Sequence, residues 1–261
     1  MTTHWTQEEK ELLVKIYAVT APNELEALFP GKKKSTIQMK ANQMGLRLKD
    51  TRQLHRLLDN SLESCYWIGF ILADGWLTES SAGKTKCTFG ITLSDKDKTH
   101  LEQLGLFLNV PVNSYTRSTN FKNTYHYHNI TVNDNVNVPL IKRKFNINND
   151  KSHNPPDLSS YDMNSSQLLS LIIGYIDGDG SIAKRSNGRT IISIQCNEAW
   201  KENLSFIINT LSDAFSTITK NGVSINLRGH ASIYIGNQNI VNGLRQFAID
   251  NNLPVLKRKW P

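Results

Sequence analysis

The sequence predicts an α+β protein with two pseudo-symmetric αββαββα halves behind a small all-α unit. Two repeated segments support the halves. An apolar run that ends in an acid and a glycine occupies residues 66–77 and again 171–182. A proline, two apolar residues and Lys-Arg-Lys occupy 138–146 and again 253–261. Because self-similarity over such a distance is typical of a duplicated fold, the chain should contain two copies of one unit.

Each copy contains the same order of predicted elements. The acid-tipped helix is followed by two alternating stretches around polar and Gly residues, which predict a hairpin. A helical stretch, two more strand-like runs and a last helix leading into Lys-Arg-Lys complete the copy. We assign the halves to 61–147 and 165–261. The linker at 148–164 contains adjacent prolines that exclude a regular element. Two halves in one chain predict a monomer.

Small residues recur at a spacing of four in both acid-tipped helices. They are Gly69 and Ala73 in the first, and Gly174 and Gly178 in the second. Residues four apart share a helix face, and a small face lets two backbones approach closely. We therefore expect the two helices to pack side by side, with their terminal acids at the same end.

The terminal acids, Asp74 and Asp179, stand where a helix already carries negative partial charge. Two carboxylates there must share a proton or a cation, and hard oxygen ligands suit Mg²⁺. The alternative is a pair of solvated helix-end residues. The following glycines, Gly75 and Gly180, are expected to end the helices in a left-handed conformation.

The repeated helices, WIGFILADG at 67–75 and IIGYIDGDG at 172–180, resemble the motif of the LAGLIDADG homing endonucleases. The resemblance covers about 61–261 and implies saddle-shaped antiparallel sheets. It implies that Asp74 and Asp179 are catalytic and bind metal, with Ala73 and Gly178 completing the ligands. The implied cofactor is two or three Mg²⁺ ions, which Mn²⁺ or Ca²⁺ could replace for binding.

The first copy departs from the motif at one position. Leu72 stands where the second copy has Asp177. Since the earlier acid of the motif is not a metal ligand, we expect Asp177 to be dispensable.

The resemblance also implies a basic residue near each scissile phosphate. The repeated Lys-Arg-Lys segments then point to Lys144 and Lys259 as catalytic lysines. They would stabilise the phosphate or help to activate water. The alternative is a simple electrostatic contact with the DNA backbone.

Sequence recognition is expected on one face of the predicted strands, since a β-ribbon can enter the major groove. The family's outward positions and strand alternation give a set of DNA-binding residues. In the first half these are Thr78, Ser80, Lys84, Lys86, Thr88 and Arg117, and in the second half Ala183, Arg185, Asn187, Arg189, Ser193, Gln195, Asn226 and Arg228. Because the halves differ, the target should be asymmetric.

The first fifty residues predict a separate three-helix unit, residues 1–49, tethered by 50–60. Thr6 and Glu9 form a capping-box pattern for a helix over 7–17; a second helix follows Pro22, and Ser35 can cap a third. The expected core is Trp5, Leu12, Ile16, Leu25, Leu28, Ile37, Ala41 and Leu46. The unit resembles a Myb/SANT-type helix-turn-helix domain, which implies DNA contacts from Lys33, Lys34, Lys40 and Arg47. The alternative is a protein-contact module.

Composition agrees with a polyanionic partner. The formal net charge is +7, and the three cysteines form no CxxC pair. Neither a signal peptide nor a membrane-spanning run is visible, so we expect a soluble intracellular protein, in the cytoplasm or nucleoid of a bacterial or phage-infected cell or in an organelle. His126 and His128 share a strand face without a third ligand, which favours an ordinary strand over a zinc site.

These observations together predict a site-specific hydrolase, a Mg²⁺-dependent double-strand DNA endonuclease of the intron-homing type. Its partner would be a long double-stranded DNA target, with no membrane association. Two alternatives remain: a maturase that binds group I intron RNA, and a DNA-binding regulator that keeps the fold without catalysis.

Overall fold

The structure, a computed structural model, describes residues 4–20, 24–46, 51–79, 86–118, 124–217 and 222–260. The chain divides into two compact units, Met1–Arg52 and Gln53–Pro261. Within the described ranges, no helix is both long and apolar enough to cross a membrane.

The first unit contains three helices among its described residues: α1 (Gln7–Ile16), α2 (Leu25–Leu28) and α3 (Lys34–Gln43). The Thr6 side chain accepts a hydrogen bond from the Glu9 N–H, and Glu9 accepts one from the Thr6 N–H, so the capping box is present. Helix α3 begins two residues earlier than a Ser35 cap would place it, and its N-cap, Lys33, makes no side-chain capping bond.

The core of the first unit differs from the expected set at two positions. Leu12 and Leu28 are 39% and 46% exposed, whereas the neighbouring Leu13 and Phe29 are buried. A helix turns by about 100° per residue, so an error of one position moves a side chain from the core face to the solvent face. The buried set is Trp5, Leu13, Tyr17, Leu25, Phe29, Ile37 and Ala41.

The stretch expected as a tether lies partly in the core of the second unit. Residues Leu54–Leu58 form a 3₁₀ helix, with Leu54 and Leu57 fully buried. The Gln53 N–H donates to the Leu108 carbonyl at 2.7 Å. The apolar side chains at 54 and 57 are therefore structural, and the second unit begins at Gln53.

The second unit has the predicted order αββαββα in each half. The first half comprises α4 (Leu62–Asp74), β1 (Gly75–Thr78), β2 (Thr88–Ser94), α5 (Lys98–Leu108), β3 (Asn113–Ser118), β4 (Thr124–Asn133) and α6 (Asn137–Lys144). The second comprises α7 (Ser165–Asp179), β5 (Gly180–Lys184), β6 (Thr190–Asn197), α8 (Lys201–Ala214), β7 (Ser224–Ile225), β8 (His230–Ile235) and α9 (Gln238–Asp250). The predicted fold class is confirmed.

Each half forms one antiparallel sheet with the same strand order. The orders are β1-β2-β4-β3 and β5-β6-β8-β7. Alternate residues such as Ile91 and Ile130, or Ile194 and Ile233, are fully buried. One face of each sheet therefore packs against the helices, while the residues between them lie on the opposite face.

Helices α4 and α7 form the centre of the second unit. A Cβ added to Gly69 would lie 1.9 Å from the Leu171 carbonyl oxygen, and one added to Gly174 would lie 1.9 Å from the Tyr66 carbonyl oxygen. The pairs are equivalent, since Tyr66 and Gly69 precede Leu171 and Gly174 by 105 residues. The predicted helix pair thus packs backbone against backbone.

This contact predicts a large effect of one methyl group. Gly174→Ala should destabilise the protein by about 3 kcal/mol, because the clash is with backbone atoms that cannot rotate away. Thermal unfolding would measure the loss. Gly222→Ala is the matched control, since nothing lies within 4 Å of its added Cβ. Equal melting temperatures for Gly174→Ala and wild type would contradict this packing.

Candidate active site

The C-terminal ends of α4 and α7 adjoin and bring the two predicted acids together. A Cβ added to Gly178 would lie 2.2 Å from the Ala73 Cβ and 3.5 Å from Asp74 Oδ2. Asp74 and Asp179 are the last residues of their helices, and both side chains reach solvent. The sequence-based pairing of these acids therefore has a structural basis in the small-residue stripe.

The prediction that both helices end in a left-handed conformation is wrong. Gly75 has φ −83° and ψ 166°, and Gly180 has φ −83° and ψ 161°, which is extended backbone. Each helix continues directly into the first strand of its sheet. Glycine is needed there for space, because an added Cβ would lie 2.9 Å from the Ile71 oxygen at Gly75 and 2.6 Å from the Ile176 oxygen at Gly180.

Both carboxyls have a pKa above the usual value for aspartate. Burial against the surrounding protein, and then the Asp179 charge, raise the pKa of Asp74 to about 6. Burial also raises the pKa of Asp179, against the opposing effect of Lys151. The pair therefore lies in a setting that favours a proton or a bound cation.

Lys259 lies at this site, as predicted. It follows α9 in a segment without helix or strand, and it is only 8% exposed. Its Nζ donates to the carbonyls at the end of α7, those of Ile176 (3.1 Å), Asp177 (2.5 Å), Gly178 (3.1 Å) and Gly180 (2.6 Å). A cation is stabilised by unpaired carbonyls at a helix C-terminus. Burial nevertheless lowers the pKa of Lys259.

Lys144 does not lie at this site, contrary to expectation. Its Nζ donates to the Leu58 carbonyl at 2.7 Å and to Asn60 Oδ1 at 2.6 Å, beside the N-terminal end of α4. Asp74 ends the same helix of 13 residues, so the two positions are separated by about 20 Å along its axis. The first Lys-Arg-Lys lies in the last turn of α6, whereas the second lies beyond α9. The sequence repeat is not a structural repeat here.

Lys151 occupies the place expected for Lys144. Its Nζ donates to the carbonyls of Leu72 (2.6 Å) and Ala73 (2.7 Å) at the end of α4. Burial lowers its pKa, against the charges of Asp179 and Asp74. Sequence reasoning missed this residue because it lies in the segment assigned as a linker. Spacing could have identified it: the motifs are 105 residues apart, Lys151 and Lys259 are 108 apart, and Lys144 and Lys259 are 115 apart.

The residues at the site suit a hard divalent cation. Two carboxylates are the principal donors, and Ala73 and Gly178 offer carbonyl oxygens that accept lysine hydrogen bonds in this structure. A carbonyl oxygen has two lone pairs, so each can accept a second partner. No cluster of three or more His, Cys, Asp or Glu side chains that could hold a metal occurs in the described ranges. A metal here would therefore depend on the two acids and on main-chain oxygen.

Asp177, which was expected to be dispensable, is the most buried acid of the motif. It is 1% exposed and accepts hydrogen bonds from the Tyr66 hydroxyl, the Leu256 N–H and the Trp260 indole N–H. A carboxylate that accepts three hydrogen bonds is part of the architecture, because its removal would leave the Leu256 and Trp260 N–H groups without this acceptor.

The strand face opposite the core carries several predicted DNA-binding residues in the first half. Thr78 pairs with Thr88 across β1 and β2, and Arg117 is exposed on β3, opposite Tyr125. Lys86 is exposed just before β2. Ser80 and Lys84 lie outside the described residues.

In the second half, strand register places most of the predicted residues on one face. Ala183, Ser193 and Gln195 alternate with the buried residues of β5 and β6. The Arg185 N–H donates to the Arg189 carbonyl at 2.8 Å, which extends the same pairing.

Two predicted asparagines instead shape turns. Asn187 Oδ1 accepts the Arg189 N–H, and Asn226 Oδ1 accepts the N–H groups of Arg228 and His230. Their side-chain oxygens are engaged by backbone, as is typical of Asx turns.

Aromatic residues on the first sheet were missed. Tyr115 and Tyr127 stand opposite each other with stacked rings 5.6 Å apart, and Tyr125 lies 6.4 Å from Tyr127. Trp76 lies across Gly90 on the same face. The alternation of tyrosine and histidine at 125–128 was the available signal. The histidines behave as expected of an ordinary strand: His128 is buried and contacts Asp95 and Ser114, each at 2.8 Å.

In the first unit, the predicted DNA-binding lysines have different surroundings. Lys33 and Lys34 are exposed at the start of α3, and Lys40 is half-buried in its last turn. The neighbouring Lys32 pairs with Glu9 and lies over the Trp5 ring. Arg47 lies outside the described residues.

Comparison with known proteins gives a relationship in structure only. Neither a family model nor a curated protein sequence matches the chain. The homing endonuclease I-WcaI, solved bound to its DNA recognition sequence, superimposes with a TM-score of 0.54 at 16% identity, covering 92% of this chain and 96% of that one.

Two further structures are more distant. The LAGLIDADG homing endonuclease I-GzeII in complex with its DNA target has a TM-score of 0.46 at 14% identity, covering 75% of this chain and 86% of that one. The meganuclease I-SmaMI bound to uncleavable DNA has 0.47 at 14%, covering 77% and 87%.

The ionisation of Asp74 yields a stability prediction. Its pKa lies near 6, above the usual 3.8, so ionisation costs stability above pH 6 and costs nothing near pH 4 or below. Asp74→Asn should therefore stabilise the metal-free protein at pH 7.5, by on the order of 1 kcal/mol because solvent screens this partly exposed group. The gain should disappear by pH 4.

Thermal unfolding in chelator at both pH values would measure this difference. Asp162→Asn, at an exposed position in the linker between the halves, is the matched control and should change neither value. An Asp74→Asn protein less stable than wild type at pH 7.5 would contradict the prediction that burial and the Asp179 charge disfavour ionised Asp74.

The second unit thus has the fold of the LAGLIDADG homing endonucleases, with two acids and two lysines at the adjoining ends of its central helices.

Proposed function

We propose that this protein is a site-specific double-strand DNA endonuclease that depends on Mg²⁺. One observation carries the proposal: Asp74 and Asp179 end two closely packed helices, and a lysine caps each helix end. Paired carboxylates with nearby cations are the groups that phosphodiester hydrolysis requires. The fold shared with DNA-bound endonucleases supports it.

The acids are the groups that would hold the metal. Asp74 and Asp179, with the carbonyls of Ala73 and Gly178, would bind two or three Mg²⁺ ions; Mn²⁺ or Ca²⁺ could replace them for binding. Bound Mg²⁺ would supply charge neutralisation at the phosphate and a more acidic water. The Asp179 charge adds to burial in raising the pKa of Asp74, and such a cation would relieve that repulsion.

The lysines would act on the phosphate. Lys151 and Lys259 would place ammonium groups beside the charge that develops on the phosphate oxygens. Both have a pKa below the usual value because of burial, so each exchanges a proton more readily than a surface lysine does. In this proposal Lys151 replaces Lys144 as the catalytic lysine of the first half.

The two sheets would read different halves of an asymmetric target. The second sheet offers Arg185, Arg189 and Gln195, whose side chains can bridge guanine or adenine edges in the major groove. The first offers Arg117 among threonines and tyrosines, which suit thymine methyl groups and sugar-phosphate contacts. The first unit, with Lys33, Lys34 and Lys40, would act as a helix-turn-helix domain that lengthens the DNA footprint. One protein chain would be sufficient to cut both strands of the DNA.

A cleavage selection on randomised double-stranded DNA would test this function. The full-length protein should enrich one asymmetric cleaved site in Mg²⁺, and none in chelator. Asp74→Asn and Asp179→Asn should each lower the cleavage rate of that site by about 100-fold or more, and Ca²⁺ should preserve binding.

Other outcomes would assign the protein elsewhere. Tight binding of one DNA site without cleavage in Mg²⁺ or Mn²⁺ would indicate a regulator. Binding of intron RNA that survives loss of both acids would indicate a maturase. Wild-type cleavage rates in both aspartate variants would reject the assigned active site.

The lysine assignment gives a separate prediction. Lys151→Met should slow cleavage by about 100-fold, because it removes a cation from the reacting phosphate. Lys144→Met is the matched control: it should lower the melting temperature, since Leu58 and Asn60 lose a donor, but leave the cleavage rate near that of wild type. The reverse pattern would restore Lys144 as the catalytic lysine.

A further inference from the structure

Asp177 joins the first half of the second unit to the C-terminal segment. Its Oδ2 accepts hydrogen bonds from the Tyr66 hydroxyl at 2.7 Å and the Leu256 N–H at 2.8 Å. Its Oδ1 accepts one from the Trp260 indole N–H at 2.7 Å. Tyr66 belongs to α4, whereas Leu256 and Trp260 belong to the segment that follows α9.

That segment, residues 251–260, carries Lys259 and has neither helix nor strand. Without a regular hydrogen-bond ladder, its path depends on individual contacts. Arg258 binds Asp97 through two hydrogen bonds of 2.6 and 2.8 Å, and Leu253 and Leu256 are buried. The two bonds to Asp177 are placed differently, because they lie on both sides of Lys259: one three residues before it and one directly after it.

The first half positions its lysine by other means. Leu72 occupies the place equivalent to Asp177, and its side chain has no polar atom. Instead, the Trp200 indole N–H donates to the Lys151 carbonyl at 3.1 Å. The two lysines therefore stand at equivalent helix ends but are held by unrelated contacts.

We propose that Asp177 is a positioning residue for Lys259 alone, so that weakening its bonds to the C-terminal segment disables one of the two strand cuts. The inference rests on the proposed function, in which each lysine serves one strand. Loss of the Asp177 contact would then convert a double-strand endonuclease into a nicking one. A displacement of about 1 Å in such a group can cost on the order of 100-fold in rate.

Two variants weaken the contact from opposite sides. Asp177→Asn keeps the shape but puts an amide where one oxygen accepts, and Trp260→Phe removes the indole donor. Tyr66→Phe is the matched control, because it removes the donor from α4 and keeps both bonds to the C-terminal segment.

Strand-resolved cleavage of an end-labelled target is the measurement. Both variants should slow one strand, the same one that Lys259→Met slows, by about 10- to 100-fold. The other strand, which Lys151→Met slows, should stay within about 3-fold of wild type, and supercoiled plasmid should accumulate as nicked circle. Tyr66→Phe should cut both strands at near wild-type rates. Equal slowing of both strands by Asp177→Asn and Trp260→Phe would overturn the proposal, as would no slowing.

Amide hydrogen exchange separates this inference from the proposed function. Residues 253–260 should lose protection in Asp177→Asn and Trp260→Phe but keep it in Tyr66→Phe. Unchanged protection in the first two variants would overturn the positioning role, whatever the cleavage result. If the wild-type protein cuts no DNA but the three variants show this exchange pattern, the endonuclease function is refuted and the positioning of Lys259 remains supported.

Discussion

The second unit depends on the approach of α4 to α7 at Gly69 and Gly174. The space for a side chain at either glycine is occupied by a carbonyl oxygen of the other helix. Small residues permit this distance, and van der Waals contact along both backbones stabilises it. Both sheets begin at the ends of these helices, at Gly75 and Gly180. The orientation of each sheet therefore follows from the helix pair.

The close approach of α4 to α7 also concentrates negative charge at the candidate active site. Two helix C-termini, each with carbonyls that have no partner within the helix and with a terminal carboxylate, meet at one end of the pair. Lys151 and Lys259 offset this negative potential by donating to the last carbonyls of the two helices. Burial, and then the Asp179 charge, still raise the pKa of Asp74. Neutral residues at positions 74 and 179 would make the fold more stable. Retention of two acids there is the kind of cost in stability that functional sites commonly carry.

The pseudo-symmetry of the fold does not extend to the supporting contacts. Lys259 approaches α7 from an irregular segment tied to Asp177, while Lys151 approaches α4 from the connection between the halves and is held by Trp200. The two sheets differ as well: the first carries a tyrosine cluster, whereas Arg185 and Arg189 lie between β5 and β6 of the second. A duplicated fold in one chain can diverge in this way because neither half has to satisfy both sets of contacts.

The sequence by itself determined the elements and the pairing of the acids. Strand alternation and helix periodicity are local, and the 105-residue offset of the repeat relates Asp74 to Asp179. Small residues four apart, Gly69 with Ala73 and Gly174 with Gly178, were enough to predict a helix pair, because such residues share a helix face.

Only the tertiary structure decided which lysines and which acids lie at the adjoining helix ends. Lys144 resembles Lys259 in its neighbours along the chain. Its position at the end of α6, however, places it beside the N-terminal end of α4, away from Asp74. Lys151 and Asp177 owe their positions to partners at distant points of the sequence, Leu72 and Ala73 for one, Leu256 and Trp260 for the other. These contacts join residues that are far apart in the sequence and that no local pattern relates. They therefore form only when the tertiary fold brings the residues together.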